Sequence, residues 1–246
     1  MVYSGWRGCK GMLTPKRIYV EEMLDAGVGT DDDVARSLLD LRRINRLLGG
    51  TRVVLDALSS SLTNGSPDKL TLLDVGTGSA DIPAAVAGWL RARGIESMIV
   101  ALDLSERNLR VARTQLGVSG EVELIQGDSL NLPFAARSFD FVTASLFLHH
   151  FEDADVVRLL ADFARVAKRA VIVNDLVRNL VPYYFSRITA PLLASSFLTR
   201  NDGPVSVLRG FTPDELKELA GRAGLKRCKV RRFFPYRISL IAETGD

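Results

Sequence analysis

The strongest constraint on the fold is a regular alternation of strand-like and helix-like segments between residues 71 and 173. Short runs rich in Val, Ile and Leu indicate strands, and amphipathic stretches with helical spacing separate them. The predicted strands cover residues 71–75, 98–102, 122–126, 139–144 and 170–173, and the predicted helices cover residues 82–93, 106–116 and 155–167. A β-α-β-α order of this kind predicts an α/β fold, with a parallel sheet and helices on both of its faces.

Further helices and strands are predicted before and after this alternating region of residues 71–173. A helix is predicted from Asp31 until Gly49 and Gly50 stop it, and a second helix over residues 51–62, followed by a linker at residues 63–67. Residues 1 to about 30 lack a clear period, so they are expected to form a loosely held arm and receive no function. Thr212-Pro-Asp-Glu215 predicts a capped helix start, and residues 226–233 and 237–243 predict a closing pair of strands. We therefore expect an N-terminal arm and helical lid over residues 1–66, and a main domain over residues 67–246 with a cap insertion at about 176–210.

Charge and cysteine content narrow the class of protein. The chain carries 32 Lys and Arg against 29 Asp and Glu, a net charge of +3, and the basic residues are interspersed with acids. This pattern does not favour a nucleic-acid partner. Two cysteines, Cys9 and Cys228, cannot build a disulfide framework, and no apolar run approaches the ~18 to 20 residues of a membrane span. A cytoplasmic protein without a membrane span is expected.

The residues after the first predicted strand indicate the ligand, because ligands of open parallel sheets bind beyond the carboxyl ends of the strands. Asp74-Val-Gly-Thr-Gly78 forms a glycine-rich turn, which by itself is a weak signal. A dinucleotide would place its pyrophosphate here, where Asp74 and Asp81 would repel it, and position 81 lacks the third glycine of the dinucleotide motif. A ligand with an ammonium and a sulfonium group would be attracted, which favours S-adenosylmethionine over NAD.

Acids also follow the next two predicted strands. Asp103 is placed to accept both ribose hydroxyls of an adenosine, and Asp128 is placed to accept from an adenine amino group. With their neighbours they complete the set of candidate cofactor-binding residues, which are Asp74, Gly76, Thr77, Gly78, Asp81, Asp103, Leu104, Asp128, Ser129 and Ser145.

On these motifs the chain resembles a class I S-adenosylmethionine-dependent methyltransferase over roughly residues 70–243. The resemblance implies a Rossmann-like doubly wound sheet of seven strands whose last strand is antiparallel, with S-adenosylhomocysteine as the product cofactor. Residues 41–50 and 145–151 are similar to bacterial enzymes that methylate small quinone and polyketide molecules. Where quinone methyltransferases are expected to have an Arg-Asn pair, this chain has two histidines, so their substrates are not carried over. A small aromatic or polyketide-like acceptor, with O-methylation, is the expectation.

His149 and His150 follow the fourth strand, where the acceptor should meet the sulfonium. Either could accept the proton of an acceptor hydroxyl as its catalytic base, or could instead pack on the cofactor or cap the next helix. Asp175, Arg178 and Tyr183 follow the fifth strand and could bind the acceptor, although an ordinary salt bridge explains them equally well. The aromatic-rich residues 181–198 would form an apolar lid, a core stripe or a homodimer contact.

No grouping of His, Asp and Glu has a convincing metal-ligand spacing, so no metal is expected. Two other classes of function stay open. An RNA or protein methyltransferase is disfavoured because the chain lacks a basic, aromatic-interleaved extension. A non-catalytic protein that binds S-adenosylmethionine would retain the cofactor site without turnover, and NAD-dependent redox chemistry ranks last.

Overall fold

Seven strands form one mixed sheet in the computed structural model, which describes residues 14–62, 67–117 and 120–245. The strand order is β3-β2-β1-β4-β5-β7-β6, with β1 to β5 parallel and β7 antiparallel between β5 and β6. This confirms the expected doubly wound sheet and its antiparallel last strand. The strands are β1 Lys69–Val75, β2 Glu96–Asp103, β3 Val122–Gln126, β4 Phe139–Ser145, β5 Ala167–Leu176, β6 Cys228–Phe233 and β7 Arg237–Glu243.

Eight helices accompany the sheet in the described residues, two of them before β1 as predicted. They are α1 Asp31–Leu47, α2 Gly50–Ser61, α3 Asp81–Arg91, α4 Glu106–Leu116, α5 Asp153–Val166, α6 Leu180–Leu193, α7 Phe197–Arg209 and α8 Pro213–Arg222. The predicted helix start at Thr212 is a capping box, in which Thr212 and Glu215 each accept from the other's backbone N–H. α6 and α7 lie in the segment for which a cap insertion was predicted.

The sheet is buried on both faces, as in a doubly wound fold. Side chains alternate along β1, so Leu73 and Val75 pack in the cluster that includes α5 and α8, whereas Leu70 and Leu72 pack against α2 and α3. Each fully buried leucine of this kind contributes about 1.5–3 kcal/mol to folding. The layers hold the carboxyl ends of β1 to β4 together at one edge.

The arm before α1 is attached to α7. Both carboxylate oxygens of Asp202 accept backbone N–H groups, from Met23 and Leu24, at 3.0 Å. Ser206 donates to the carboxylate of Glu22 at 2.8 Å. Residues 14–30 are therefore fixed over the sheet edge, which corrects the expectation of a loosely held arm for this part; residues 1–13 lie outside the described residues.

No helix in the described part of the chain is both long and apolar enough to cross a bilayer.

Candidate active site

A cavity of about 720 Å³ lies beyond the carboxyl ends of β1 to β4. Its walls are the turn after β1, the residues that follow β2, β3 and β4, one face of α1, and the arm. All of the predicted cofactor-binding residues except Asp74 lie on these walls. The structure therefore brings nine of the ten together at one opening.

The turn after β1 is shaped by backbone contacts. Gly76 and Thr77 both donate their N–H groups to the carbonyl of Leu102, at 2.9 and 3.0 Å. Gly76 has φ +69°, and a Cβ there would lie 2.1 Å from Cδ2 of Phe147. Glycine is required at this position because the Phe147 ring packs directly on its bare backbone.

Asp103 fixes the second half of the same turn. Its carboxylate accepts the N–H of Gly78 at 2.8 Å and that of Ser105 at 2.9 Å, and a third hydrogen bond from the Asn108 side chain at 3.2 Å. Burial raises the pKa of Asp103 above its ordinary value. Two carboxylate oxygens offer about four acceptor sites in all, so Asp103 keeps capacity for a ligand hydroxyl.

The two acids around the glycines have different surroundings. Asp81 lines the cavity and accepts from the Asn45 side chain at 3.2 Å. Asp74 points into the sheet, where its carboxylate accepts the hydroxyl of Thr143 at 2.6 Å, and burial raises its pKa to about 7. The structure thus corrects the prediction that Asp74 faces the ligand, because its side chain lies behind the wall.

The third and fourth strands contribute polar groups that point at the cavity. Asp128 caps the 3₁₀ turn at Ser129–Asn131, accepting from the N–H of Leu130 at 2.9 Å. Ser145 lies on the cavity wall, and its hydroxyl is buried without a hydrogen-bond partner among the described residues. A buried hydroxyl of this kind needs a ligand or water to satisfy it.

The charge of the lining fits the predicted cofactor. Six carboxylate side chains line the cavity, from Glu21, Asp25, Asp81, Asp103, Asp128 and Glu152, against the guanidinium groups of Arg107 and Arg209. Such a lining attracts a ligand with ammonium and sulfonium charges and repels a pyrophosphate. Together with the bare backbone of the turn and the spare acceptor site of Asp103, it suits S-adenosylmethionine.

His149 lies behind the cavity and is almost fully buried. Its Nδ1 is 2.6 Å from Oδ1 of Asp175, and its Nε2 is 3.5 Å from Oε1 of Glu22. Burial acts to lower the pKa of His149, but the two carboxylates outweigh it and raise that pKa to about 10. Because both ring nitrogens of His149 face carboxylates and the residue does not line the cavity, it is not placed to take a proton from an acceptor there, which corrects its prediction as a base.

His150, in contrast, lines the cavity. Its Nδ1 is hydrogen-bonded to the carboxylate of Asp25 in the arm, which leaves Nε2 for another partner. Arg209 holds the turn that carries both histidines by donating to the His149 carbonyl at 2.9 Å and to the His150 carbonyl. Sequence reasoning missed Asp25 because nothing in the irregular arm indicates its contact with a residue 125 positions away.

One group within the described residues has the composition of a metal site. Ligand atoms of Glu22, His149 and His150 all lie within 4.8 Å of one another. Sequence reasoning did not predict this group, because Glu22 comes from the arm. Within this group, the ion pair with His149 balances the negative charge of the Glu22 carboxylate. That carboxylate also accepts a hydrogen bond from the hydroxyl of Ser206.

The predicted acceptor-binding residues lie away from the cavity. Asp175 is the fully buried partner of His149. Arg178 donates to the carbonyls of Pro15 and Gly210 and pairs with Glu215, and Tyr183 packs edge-on against Tyr184. None of the three lines the cavity, so the structure corrects their assignment to acceptor binding.

Comparisons with known proteins agree with this geometry. A family model described as a methyltransferase domain matches residues 73–173. The demethylmenaquinone methyltransferase of Geobacillus stearothermophilus is 32% identical over 184 residues, which cover 69% of this chain and 75% of the relative. The enzyme of the same name from Thermotoga maritima is 30% identical over 174 residues, which cover 65% of this chain and 71% of the relative.

Solved structures share the fold at low sequence identity. Human N-acetylserotonin methyltransferase in complex with S-adenosylmethionine has a TM-score of 0.66 at 16% identity; the match covers 94% of this chain but only 63% of the human one. Magnesium protoporphyrin IX methyltransferase from Synechocystis, with bound S-adenosylhomocysteine, has a TM-score of 0.56 at 16% identity and coverages of 80% and 84%. With the strand order, the cavity and the curated relatives, these matches establish that the chain belongs to the class I S-adenosylmethionine-dependent methyltransferases.

Proposed function

We propose that this enzyme methylates a hydroxyl group of a small aromatic, quinone-like or polyketide-like acceptor, with His150 as the base. The observation that carries the proposal is the Asp25–His150 pair on the cavity wall. Support for a quinone-like acceptor comes from the curated relatives, which are named for demethylmenaquinone, although this chain has two histidines where quinone methyltransferases are expected to have an Arg-Asn pair.

Cofactor binding is assigned to the acids at the strand ends. S-adenosylmethionine supplies, when bound, an electrophilic methyl carbon on a sulfonium. Asp103 would accept from a ribose hydroxyl and Asp128 from the adenine amino group, while Asp81 would balance positive charge. Gly76, Thr77, Gly78, Leu104, Ser129 and Ser145 would shape the remaining walls.

Proton removal is assigned to His150. Its Nε2 would take the hydroxyl proton while the acceptor oxygen bonds to the methyl carbon and the methyl–sulfur bond breaks, leaving S-adenosylhomocysteine. Asp25 would stabilise the imidazolium that forms. Phe147 and Phe151 also line the cavity, with ring centroids 5.0 Å apart, and offer an apolar wall to an aromatic acceptor. A base next to an apolar wall is what a phenolic acceptor needs.

The test is turnover with ¹³C-methyl S-adenosylmethionine over a panel of phenols, quinols and polyketide aromatics, with NMR to locate the label on oxygen or carbon. His150→Ala should lower kcat by about 10²- to 10⁴-fold with S-adenosylhomocysteine affinity unchanged. Tyr183→Phe, which lies outside the cavity, is the matched control and should keep full activity. Unchanged turnover in His150→Ala would refute the role of the base.

A chelator distinguishes the base from a metal ligand. Dialysis against EDTA should leave activity intact if His150 acts as a base. Activity that is lost and then restored by Zn²⁺ would instead assign Glu22, His149 and His150 to a metal centre.

A further inference from the structure

Helix α6 exposes most of its apolar side chains. Pro182 is its only buried residue, whereas Leu192 is 80% exposed. We define the α6 face as this helix surface with two neighbouring exposed side chains; its members are Val181, Tyr184, Phe185, Ile188, Leu192, Leu193, Leu47 and Phe234. Contiguous exposed apolar surface of this kind marks an interaction site.

Three contacts join the separate segments of the α6 face. The ring centroids of Phe185 and Tyr236 lie 5.3 Å apart, which places the β6–β7 turn beside α6. Arg43 Nη1 lies 3.5 Å from the carbonyl of Leu193, which places α1 beside the end of α6. A Cβ at Gly49 would lie 3.7 Å from the carbonyl of Phe234, so the α1–α2 junction adjoins the same turn.

The exposed charged side chains in the segments that build the α6 face are basic, and the nearby carboxylate of Asp40, which pairs with Arg43, is buried. The segments that build it, residues 41–55, 176–201 and 226–242, contain no Asp or Glu. Arg46, Arg187, Arg231 and Arg232 are exposed in these segments, and no carboxylate of the described residues lies within 4.0 Å of them. The net charge of the whole chain, +3, does not reveal this concentration.

We propose that the α6 face docks the enzyme on an anionic lipid bilayer. The apolar side chains of α6 and Phe234 would enter the interfacial region, and the arginines would bind lipid phosphates. A second copy of the chain fits less well. A two-fold dimer would bring the same patch against itself and set arginines against arginines, with no acids in these segments to pair with them.

The docking surface lies one helix away from the cavity. α1 supplies Leu38, Leu41 and Asn45 to the cavity wall, and Leu47 with Arg46 to the α6 face. Docking would hold the cavity about 10 Å, one helix diameter, from the lipid surface. An acceptor dissolved in the membrane would then be within reach, although docking itself does not depend on the identity of the acceptor.

The test is co-sedimentation of the full chain with vesicles of phosphatidylcholine, with and without phosphatidylglycerol. The wild type should bind the anionic vesicles, and high salt should weaken binding. The double variant Ile188→Glu/Leu192→Glu should lower the partition coefficient by more than about tenfold. In the triple variant Arg46→Gln/Arg231→Gln/Arg232→Gln, the partition coefficient should fall roughly fivefold for each arginine removed.

Met98→Glu is the matched control, because Met98 is exposed near the amino end of β2, at the opposite end of the strand from the cavity. This variant should bind the anionic vesicles as the wild type does. Calorimetric binding of S-adenosylhomocysteine reports that each variant is folded. Absence of wild-type binding to anionic vesicles, or equal binding by Ile188→Glu/Leu192→Glu, would overturn the proposal. The proposal would also be overturned if the wild type bound no vesicles and light scattering showed a dimer that Ile188→Glu/Leu192→Glu dissociates. Methyl transfer to a water-soluble acceptor is measured separately, so failure of docking leaves the proposed reaction untouched.

Discussion

His149 and His150 are adjacent in the chain and their ring centroids lie 4.2 Å apart, but the two rings meet different partners. His149 lies between Asp175 and Glu22 in the interior, while His150 reaches the cavity and Asp25. The sequence could predict that this pair lies at the end of β4. It could not predict which histidine faces inward, because the partners that decide this come from β5 and from the arm.

The charge of His149 should persist well above neutral pH. The folded-state pKa of about 10 exceeds the ordinary value of 6.5, so the stabilisation by the ion pairs is complete below pH 6.5 and is lost as the pH rises towards 10. Over this window the free energy of unfolding should fall by up to about 1.4 kcal/mol per pH unit. ¹⁵N NMR of the two histidines at pH 8, with His150→Gln for assignment, should show His149 protonated on both nitrogens. A neutral His149 at that pH would contradict the buried ion pairs.

Gly76 should tolerate no side chain. Alanine there would adopt φ +69° and place its Cβ 2.1 Å from the Phe147 ring, so Gly76→Ala should lose about 3 kcal/mol of stability or more, together with cofactor binding. Gly88→Ala is the control, since that glycine lies exposed in α3 with open space around it, and should gain up to about 1 kcal/mol. Urea unfolding measures both; equal effects at the two positions would show that the ring does not confine Gly76.

At the scale of elements, the local sequence determines the bounds of helices and strands but not the contacts between distant segments. The bounds of α4, β3 and β7 equal the predicted ones because each has an uninterrupted period and a clear stop signal. The arm has no period of its own and is ordered by α7, across 184 residues in the case of Glu22 and Ser206. Contacts of that range leave no trace in a local pattern, which is why the arm's part in the cavity was not predicted.

Releasing the arm from α7 should impair the site without unfolding the sheet. Asp202→Ala removes the acceptor for the N–H groups of Met23 and Leu24, so hydrogen exchange over residues 14–30 should rise and turnover should fall about tenfold. Asp56→Asn, which alters an exposed pair with Arg52 on α2, is the control and should change neither. Unchanged exchange in Asp202→Ala would mean that other contacts hold the arm.

Across the whole molecule, opposite charges are concentrated in different places. Carboxylates predominate around the cavity, whereas arginines border the α6 face. The acids could be predicted from the sequence because parallel strands bring their carboxyl ends to one edge. The arginines could not, because they come from α1, α6 and β6, and only their packing assembles them.

The acidic cavity should make ligand stabilisation selective. S-adenosylhomocysteine at about a hundred times its Kd should add about 2.7 kcal/mol to the free energy of unfolding, which raises Tm by about 5–10 °C for a chain of this size. NADH should produce no shift, since its pyrophosphate would meet Asp81 and Asp103. Asp103→Asn keeps the size of the side chain but loses an acceptor oxygen, so the shift from S-adenosylhomocysteine should largely disappear. A full shift in Asp103→Asn would place the ribose elsewhere, and a shift with NADH would mean that the carboxylates do not select the ligand.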